Sequence, residues 1–114
     1  MPTRATKNNL CSERVSIICS DRDGWCHSIR GNLEEIEEGS ALILADGPIL
    51  PGKKVRICSG RTQLRGTVGA CEHHDLLGVF VEVQFEPDSQ WSERKFKPRH
   101  LLRLTSRVAL RAAG

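Results

Sequence analysis

Tyrosine is absent from this 114-residue sequence, and the other aromatics number only three phenylalanines and two tryptophans. A core must therefore be built mainly from valine, leucine and isoleucine. There is also little interleaving of aromatic with basic side chains, the pattern that stacks single-stranded bases over an electrostatic groove. No apolar run approaches the ~20 residues that a helix needs to cross a bilayer. The opening "MPTRATKNNL" is polar, with no apolar stretch behind it of the kind that marks a secretion signal. These absences lead us to expect a cytoplasmic protein without a membrane span. The five cysteines, an odd number, are then expected as reduced thiols rather than a disulfide framework.

What is present is ordinary in bulk and uneven in distribution. The composition is 39% hydrophobic and 27% charged, inside the range of globular domains, and the length suits one compact domain. The net charge is +3. Residues 93–114 alone carry about +6, and residues 1–92 about −3, so an acidic body precedes a basic C-terminal segment.

Period-two alternation dominates the middle of the chain. In "KKVRICS" Val55 and Ile57 share one face, with Lys54, Arg56 and Cys58 on the other. "QLRGTVGAC" alternates through Leu64, Gly66, Val68 and Ala70, and "LLGVFVEVQF" sets Val79, Val81, Val83 and Phe85 against Phe80, Glu82 and Gln84. Further β-branched or apolar segments occur at 14–19, 25–33 and 40–45, with Gly31 as a bulge or a close approach of two backbones. Turn residues stand between the segments. Six short strands at such spacing predict an all-β antiparallel barrel over residues 14–92, after a flexible lead-in at 1–13. Beyond Pro98, Leu101, Leu104 and Val108 recur at helical spacing, and Arg99, Arg103, Arg107 and Arg111 step every four residues. That predicts an amphipathic C-terminal helix, with its arginine face as a candidate partner-binding surface.

Chemistry is hard to assign. Cys26-His27 and Cys71-Glu72-His73-His74 contain zinc-ligand types, but no CxxC or HxxxH spacing occurs, and neighbours on a strand point to opposite faces. No metal site is expected. No nucleophile has a base in a recognisable setting, and the glutamates at 34, 35, 37 and 38 crowd one bend instead of facing each other across a cleft. The chain is expected not to be an enzyme and to need no cofactor.

The order "GNLEEIEEGSALIL…ILPGKKVRI…LRGTVGA…LLGVFVEVQFEP…W" resembles the PilZ family of bacterial domains. The resemblance runs from about residue 14 to 92. It implies a six-stranded antiparallel barrel with a C-terminal helix, and as ligand the second messenger cyclic di-GMP. In the family that ligand is gripped by an RxxxR motif before the barrel and by a (D/N)xSxxG bend, because planar guanidinium forks suit phosphates and guanine edges. This sequence departs from both motifs. No RxxxR occurs in residues 1–25, where Arg4, Lys7, Arg14 and Arg22 are differently spaced. At the bend Glu35 and Glu37 stand for the Asp and Ser, Ser40 stands for the last glycine, and only Gly39 agrees. The expectation is thus a non-enzymatic signalling or adaptor domain of PilZ type that acts on a protein partner, without cyclic di-GMP at the consensus site. One alternative is a divergent cyclic di-GMP receptor using Gly39 with Arg14 and Arg22, or Lys7. Another is nucleic-acid binding through the basic tail at Arg99, Arg103, Arg107 and Arg111, which the acidic body disfavours.

Overall fold

A computed structural model describes residues 9–20 and 26–103, the side chains of Cys26 and Arg103 excepted. Seven antiparallel strands follow in chain order: β1 (Asn9–Ser20), β2 (Cys26–Glu37), β3 (Ser40–Ala45), β4 (Lys54–Ser59), β5 (Thr62–His74), β6 (Gly78–Phe85) and β7 (Leu102–Arg103). The sheet order is β2-β3-β6-β5-β4-β1-β7, and β1 also pairs with β2, so the first six strands close into a barrel. Closure removes the free edges that a barrel's strands would otherwise present.

Alternation places the core as the sequence predicts. Val55 and Ile57 of β4, and Val79, Val81, Val83 and Phe85 of β6, point inward and are buried, while their neighbours Arg56 and Gln84 are exposed. Ile17, Leu33, Ile36 and Ile43 complete the centre. Each such side chain contributes roughly 1.5–3 kcal/mol on leaving water. Glycine permits the closest strand approach. A Cβ on Gly31 would stand 2.7 Å from Ile43 Cγ2, and one on Gly66 would stand 2.4 Å from the Gln84 carbonyl oxygen.

Three register shifts bend the wall, at Leu10/Glu13, Leu33/Glu35 and Val68/Ala70. The last one changes a face assignment. Alternation from Val68 predicts Ala70 inside. The extra residue instead pairs Ala70 with outward-facing Glu82 and Cys71 with buried Val81, so Cys71 packs against the core. The β4–β5 hairpin turns on Gly60, whose φ of 59° suits the first position of a type II′ turn.

Two expectations are corrected. β1 begins at Asn9, so part of the supposed lead-in is barrel wall, with Cys11 buried and its Sγ donating to the Leu33 carbonyl at 3.5 Å. The C-terminal helix does not form over the described residues, which contain no α-helix and a single 3₁₀ turn at Pro87–Ser89. Backbone pairing with β1 outcompetes it. The Arg99 carbonyl accepts the Ser12 N–H at 2.9 Å, the Arg99 N–H donates to Glu13 Oε1 at 2.7 Å, and Leu102 pairs with Leu10. His100, at φ 56°, reverses the local twist and ends any helical run there. The remainder of the predicted helix, with Leu104, Arg107, Val108 and Arg111, lies outside the described residues.

Burial pushes the Cys11 thiol up to about 12, with Glu34, Glu13 and Glu35 adding to the shift. The fold therefore favours the protonated thiol. Its contribution is intact below the unfolded value of 9.0 and is lost as pH rises towards about 12. Urea midpoints measured from pH 8 to 11 should fall above pH 9 in the native protein. They should fall less steeply in Cys11→Ala. Equal slopes in the two proteins would refute the assignment.

Candidate functional site

The acidic bend is a two-residue hairpin connection. Glu37 pairs with Ser40, leaving Glu38 and Gly39 at the tip. The tip is anchored from below: the Phe85 N–H donates to the Gly39 carbonyl at 2.8 Å and the Trp91 N–H to the Glu38 carbonyl at 2.8 Å. Both backbone acceptors are thus engaged in holding the segment that closes this end of the barrel. Gly39 has no positive φ, and a Cβ there would meet only Gln90 Oε1 at 3.8 Å. This glycine is therefore not demanded by conformation.

The side chains at the bend leave little room. The Ser40 hydroxyl donates to Glu37 Oε2 at 3.2 Å. The cleft beside them, between Glu35, Glu37, Leu42 and Glu82, holds about 10 Å³, space for one water molecule at most. Three carboxylates around so small a space disfavour an anion by Coulomb repulsion as well as by size.

The sequence-predicted residues do not converge on this bend. Arg14 pairs across the barrel wall with Asn32, five positions along β2 from Glu37, a separation of roughly 16 Å at strand rise. Arg22, Arg107 and Arg111 lie outside the described residues, as do Arg4 and Lys7. Arg99 is exposed, its backbone held by β1, and Arg103 belongs to β7. Among the described residues no three His, Cys, Asp or Glu side chains group as metal ligands. His74 has a local task instead: its Nδ1 accepts the N–H groups of Leu76 at 3.4 Å and Leu77 at 3.3 Å.

What the structure does bring together is Arg14 and Arg30. Ser16 pairs with Arg30 while Arg14 pairs with Asn32, so the two arginines are diagonal neighbours on the outer face of β1 and β2. Both line an open cleft of about 560 Å³ that also carries Leu44 and Asp46. Arg56 on β4 continues this face, opposite Ile18 of β1 and Arg65 of β5. Arg65 is engaged by Asp88 at 2.9 Å and Glu86 at 3.8 Å. Arg14, Arg30 and Arg56 form no ion pair among the described residues. Arg30 and Arg56 were not singled out from the sequence. Alternation marks Arg56 as outward, but the cross-strand register that sets Arg30 beside Arg14 is not written in local periodicity.

The geometry defines a closed six-stranded antiparallel barrel with an acidic, nearly filled hairpin end and an arginine-bearing wall. No protein-family model matches the chain, and no curated protein or solved structure matches it either. No helix among the described residues is long and apolar enough to cross a membrane.

Proposed function

We propose that this chain is a non-enzymatic bacterial signalling or adaptor domain of PilZ type, which acts through protein contacts and does not hold cyclic di-GMP at the consensus position. One observation carries this reading. At the place where the family resemblance puts the ligand, Glu37 is hydrogen-bonded to Ser40 beside a cleft of about 10 Å³ walled by Glu35, Glu37 and Glu82. A dianionic dinucleotide would meet like charge, and the arginine needed to offset it, Arg14, is on another part of the wall.

Surface chemistry supports the second half of the reading. Titratable side chains are spread over the outside of the barrel, and its interior is filled by apolar side chains. A barrel whose described core is apolar carries its charged groups on its faces, where a protein partner would meet them.

Calorimetry with cyclic di-GMP at tens of micromolar protein tests the proposal. No saturable heat is expected from the wild type. Glu37→Ser alone is expected to stay silent too, because it removes one carboxylate and supplies no arginine pair. Saturable binding by the wild type would refute the reading. Binding gained by Glu37→Ser would refute the stated role of the arginines.

A further inference from the structure

Outward-facing residues form two rows across the wall. Leu44 of β3 pairs with Asn32 of β2, and Asn32 with Arg14 of β1. In the next row Arg30 of β2 pairs with Ser16 of β1, and Ser16 with Cys58 of β4. Arg14 and Arg30 are thus diagonal neighbours, roughly 7–8 Å apart at the backbone. Both are exposed. They stand between two open clefts and line each of them. The smaller, about 290 Å³, also carries Ser16, Cys58, Ser59 and Gly60, and none of its described lining residues is a carboxylate. The larger, about 560 Å³, carries Asn32, Leu44 and Leu77, with Glu34 and Asp46.

Adjacent guanidinium groups repel each other unless an anion lies between them. The neighbouring carboxylates are engaged or placed elsewhere. Glu34 accepts Asn32 Nδ2–H at 2.7 Å. Glu13 accepts the Ser59 hydroxyl at 3.0 Å and the Arg99 N–H at 2.7 Å. Asp46, just past β3, lines only the larger cleft. On the side of the smaller cleft, two guanidinium forks and the Ser16 hydroxyl therefore face a space without carboxylates. That arrangement suits a phosphomonoester, whose two charges and terminal oxygens match two forks. The apolar side is built as well. His74 Nδ1 accepts the N–H groups of Leu76 and Leu77, which fixes the β5–β6 turn and holds Leu77 at the rim of the larger cleft, 56% exposed. Leu44 lines the same cleft and is half-buried. A flat ring against these two leucines would bury area that they now leave in water.

We propose that Arg14 and Arg30 hold the phosphate of a phosphorylated tyrosine side chain on a protein partner, with its ring against Leu44 and Leu77. Charge complementarity selects the phosphate. The apolar rim selects the aromatic carrier, because phosphoserine would leave both leucines uncovered. The open form of the clefts selects a group presented on a larger molecule, since sites for small metabolites enclose most of their ligand. This deepens the adaptor reading by giving the chemistry of the partner, and it rests on that reading's claim that the outer faces do the work. The site is separate from the acidic bend: Asn32, opposite Arg14, is five positions from Glu37, roughly 16 Å at strand rise. Cyclic di-GMP does not match it either, because a phosphodiester carries only one charge on each phosphate.

Amide NMR of the full chain, titrated with N-acetyl-phosphotyrosine amide, tests this. Saturable shifts are expected at residues 14–16, 30–32 and 58–60, and at Leu44 and Leu77. N-acetyl-tyrosine amide should move none of them. N-acetyl-phosphoserine amide and inorganic phosphate should bind about 10-fold more weakly, for want of the ring. Leu77→Ala should narrow that difference and leave the binding of inorganic phosphate unchanged. Arg14→Gln/Arg30→Gln, checked for folding by circular dichroism, should weaken phosphotyrosine binding about 100-fold, roughly tenfold for each charged donor removed. Arg94→Gln/Lys97→Gln removes the same charge elsewhere and should bind as the wild type does. No saturable shift, or binding that survives the loss of Arg14 and Arg30, overturns the proposal. So does an equal loss in Arg94→Gln/Lys97→Gln, the mark of diffuse attraction. Inorganic phosphate bound as tightly as phosphotyrosine overturns the assignment to a protein side chain. If phosphotyrosine moves no resonance and cyclic di-GMP gives no heat, only the phosphate site falls and the adaptor reading stands. Heat from cyclic di-GMP refutes the adaptor reading, whatever phosphotyrosine does.

Discussion

Trp91→Ala should lose about 3–5 kcal/mol of folding stability, the usual range for removing a buried aromatic residue. Trp91 is buried at the end of the barrel, with Phe96 and Leu101 packed nearby as partly buried neighbours of the core. Its indole Nε1–H donates to the Phe96 carbonyl at 2.7 Å, and its backbone N–H donates to the Glu38 carbonyl at 2.8 Å. The residue thus joins the acidic hairpin, through its backbone, to the segment leading into β7, through its ring. Truncation opens a cavity at that junction and leaves the Phe96 carbonyl without its donor. Trp91→Phe should cost less, about 1–2 kcal/mol, since it keeps a ring and loses mainly the hydrogen bond. Against a total of roughly 5–15 kcal/mol for a domain, the alanine variant stands close to unfolding. Urea denaturation followed by far-ultraviolet circular dichroism measures both. A loss below 1 kcal/mol for Trp91→Ala would show that this end of the barrel does not depend on the indole.

Gly66→Ala should be nearly as damaging, although it adds one methyl group. The new Cβ would be 2.4 Å from the Gln84 carbonyl oxygen and 2.7 Å from Val83 Cγ1. Relief requires β5 and β6 to separate just where Gly66 pairs with Phe85 and where the Glu86 N–H donates to the Arg65 carbonyl at 2.9 Å. Overpacking of this kind costs about 1–3 kcal/mol, and because the obstruction is backbone we expect about 3 kcal/mol, with a melting temperature lower by ~10 °C or more. Gly69→Ala is the control. Its Cβ would find Gln84 Cγ at 3.6 Å, an ordinary contact, and its φ is not in the left-handed region. It should stay within about 0.5 kcal/mol of wild type. Equal effects at the two glycines would refute the close-approach argument.

These two positions differ in how plainly the sequence announces them. Trp91 is one of only two tryptophans and follows the last predicted strand, while its partners, the Phe96 and Glu38 carbonyls, are set by the fold. Gly66 was legible only as a residue on the inward face, since its necessity depends on β6 lying against it. The same division holds along the chain. Strands at 54–59 and 78–85 follow directly from alternation, because half-buried walls impose a period of two, and the one at 40–45 follows from its apolar run. The bulge at Gly69 was not legible, as one inserted residue resets the faces without leaving a mark in composition. The C-terminal periodicity misled for a clear physical reason. Local spacing favoured a helix from Pro98, but a backbone edge on β1 and the Glu13 carboxylate were available to Arg99, and tertiary pairing overrode local preference. At the candidate site, the sequence identified the glutamate-rich hairpin and the missing arginine motif. It could not bring Arg30 beside Arg14, since cross-strand register joins them.

The central claim is that the hairpin end is closed to an anionic dinucleotide and that recognition belongs to the outer walls. Amide NMR read through a titration with cyclic di-GMP tests it residue by residue. The account predicts that the resonances of residues 35–40, 82 and 84 stay unmoved at a large excess of ligand. Saturable shifts centred on Glu37, Gly39 and Ser40 would contradict it.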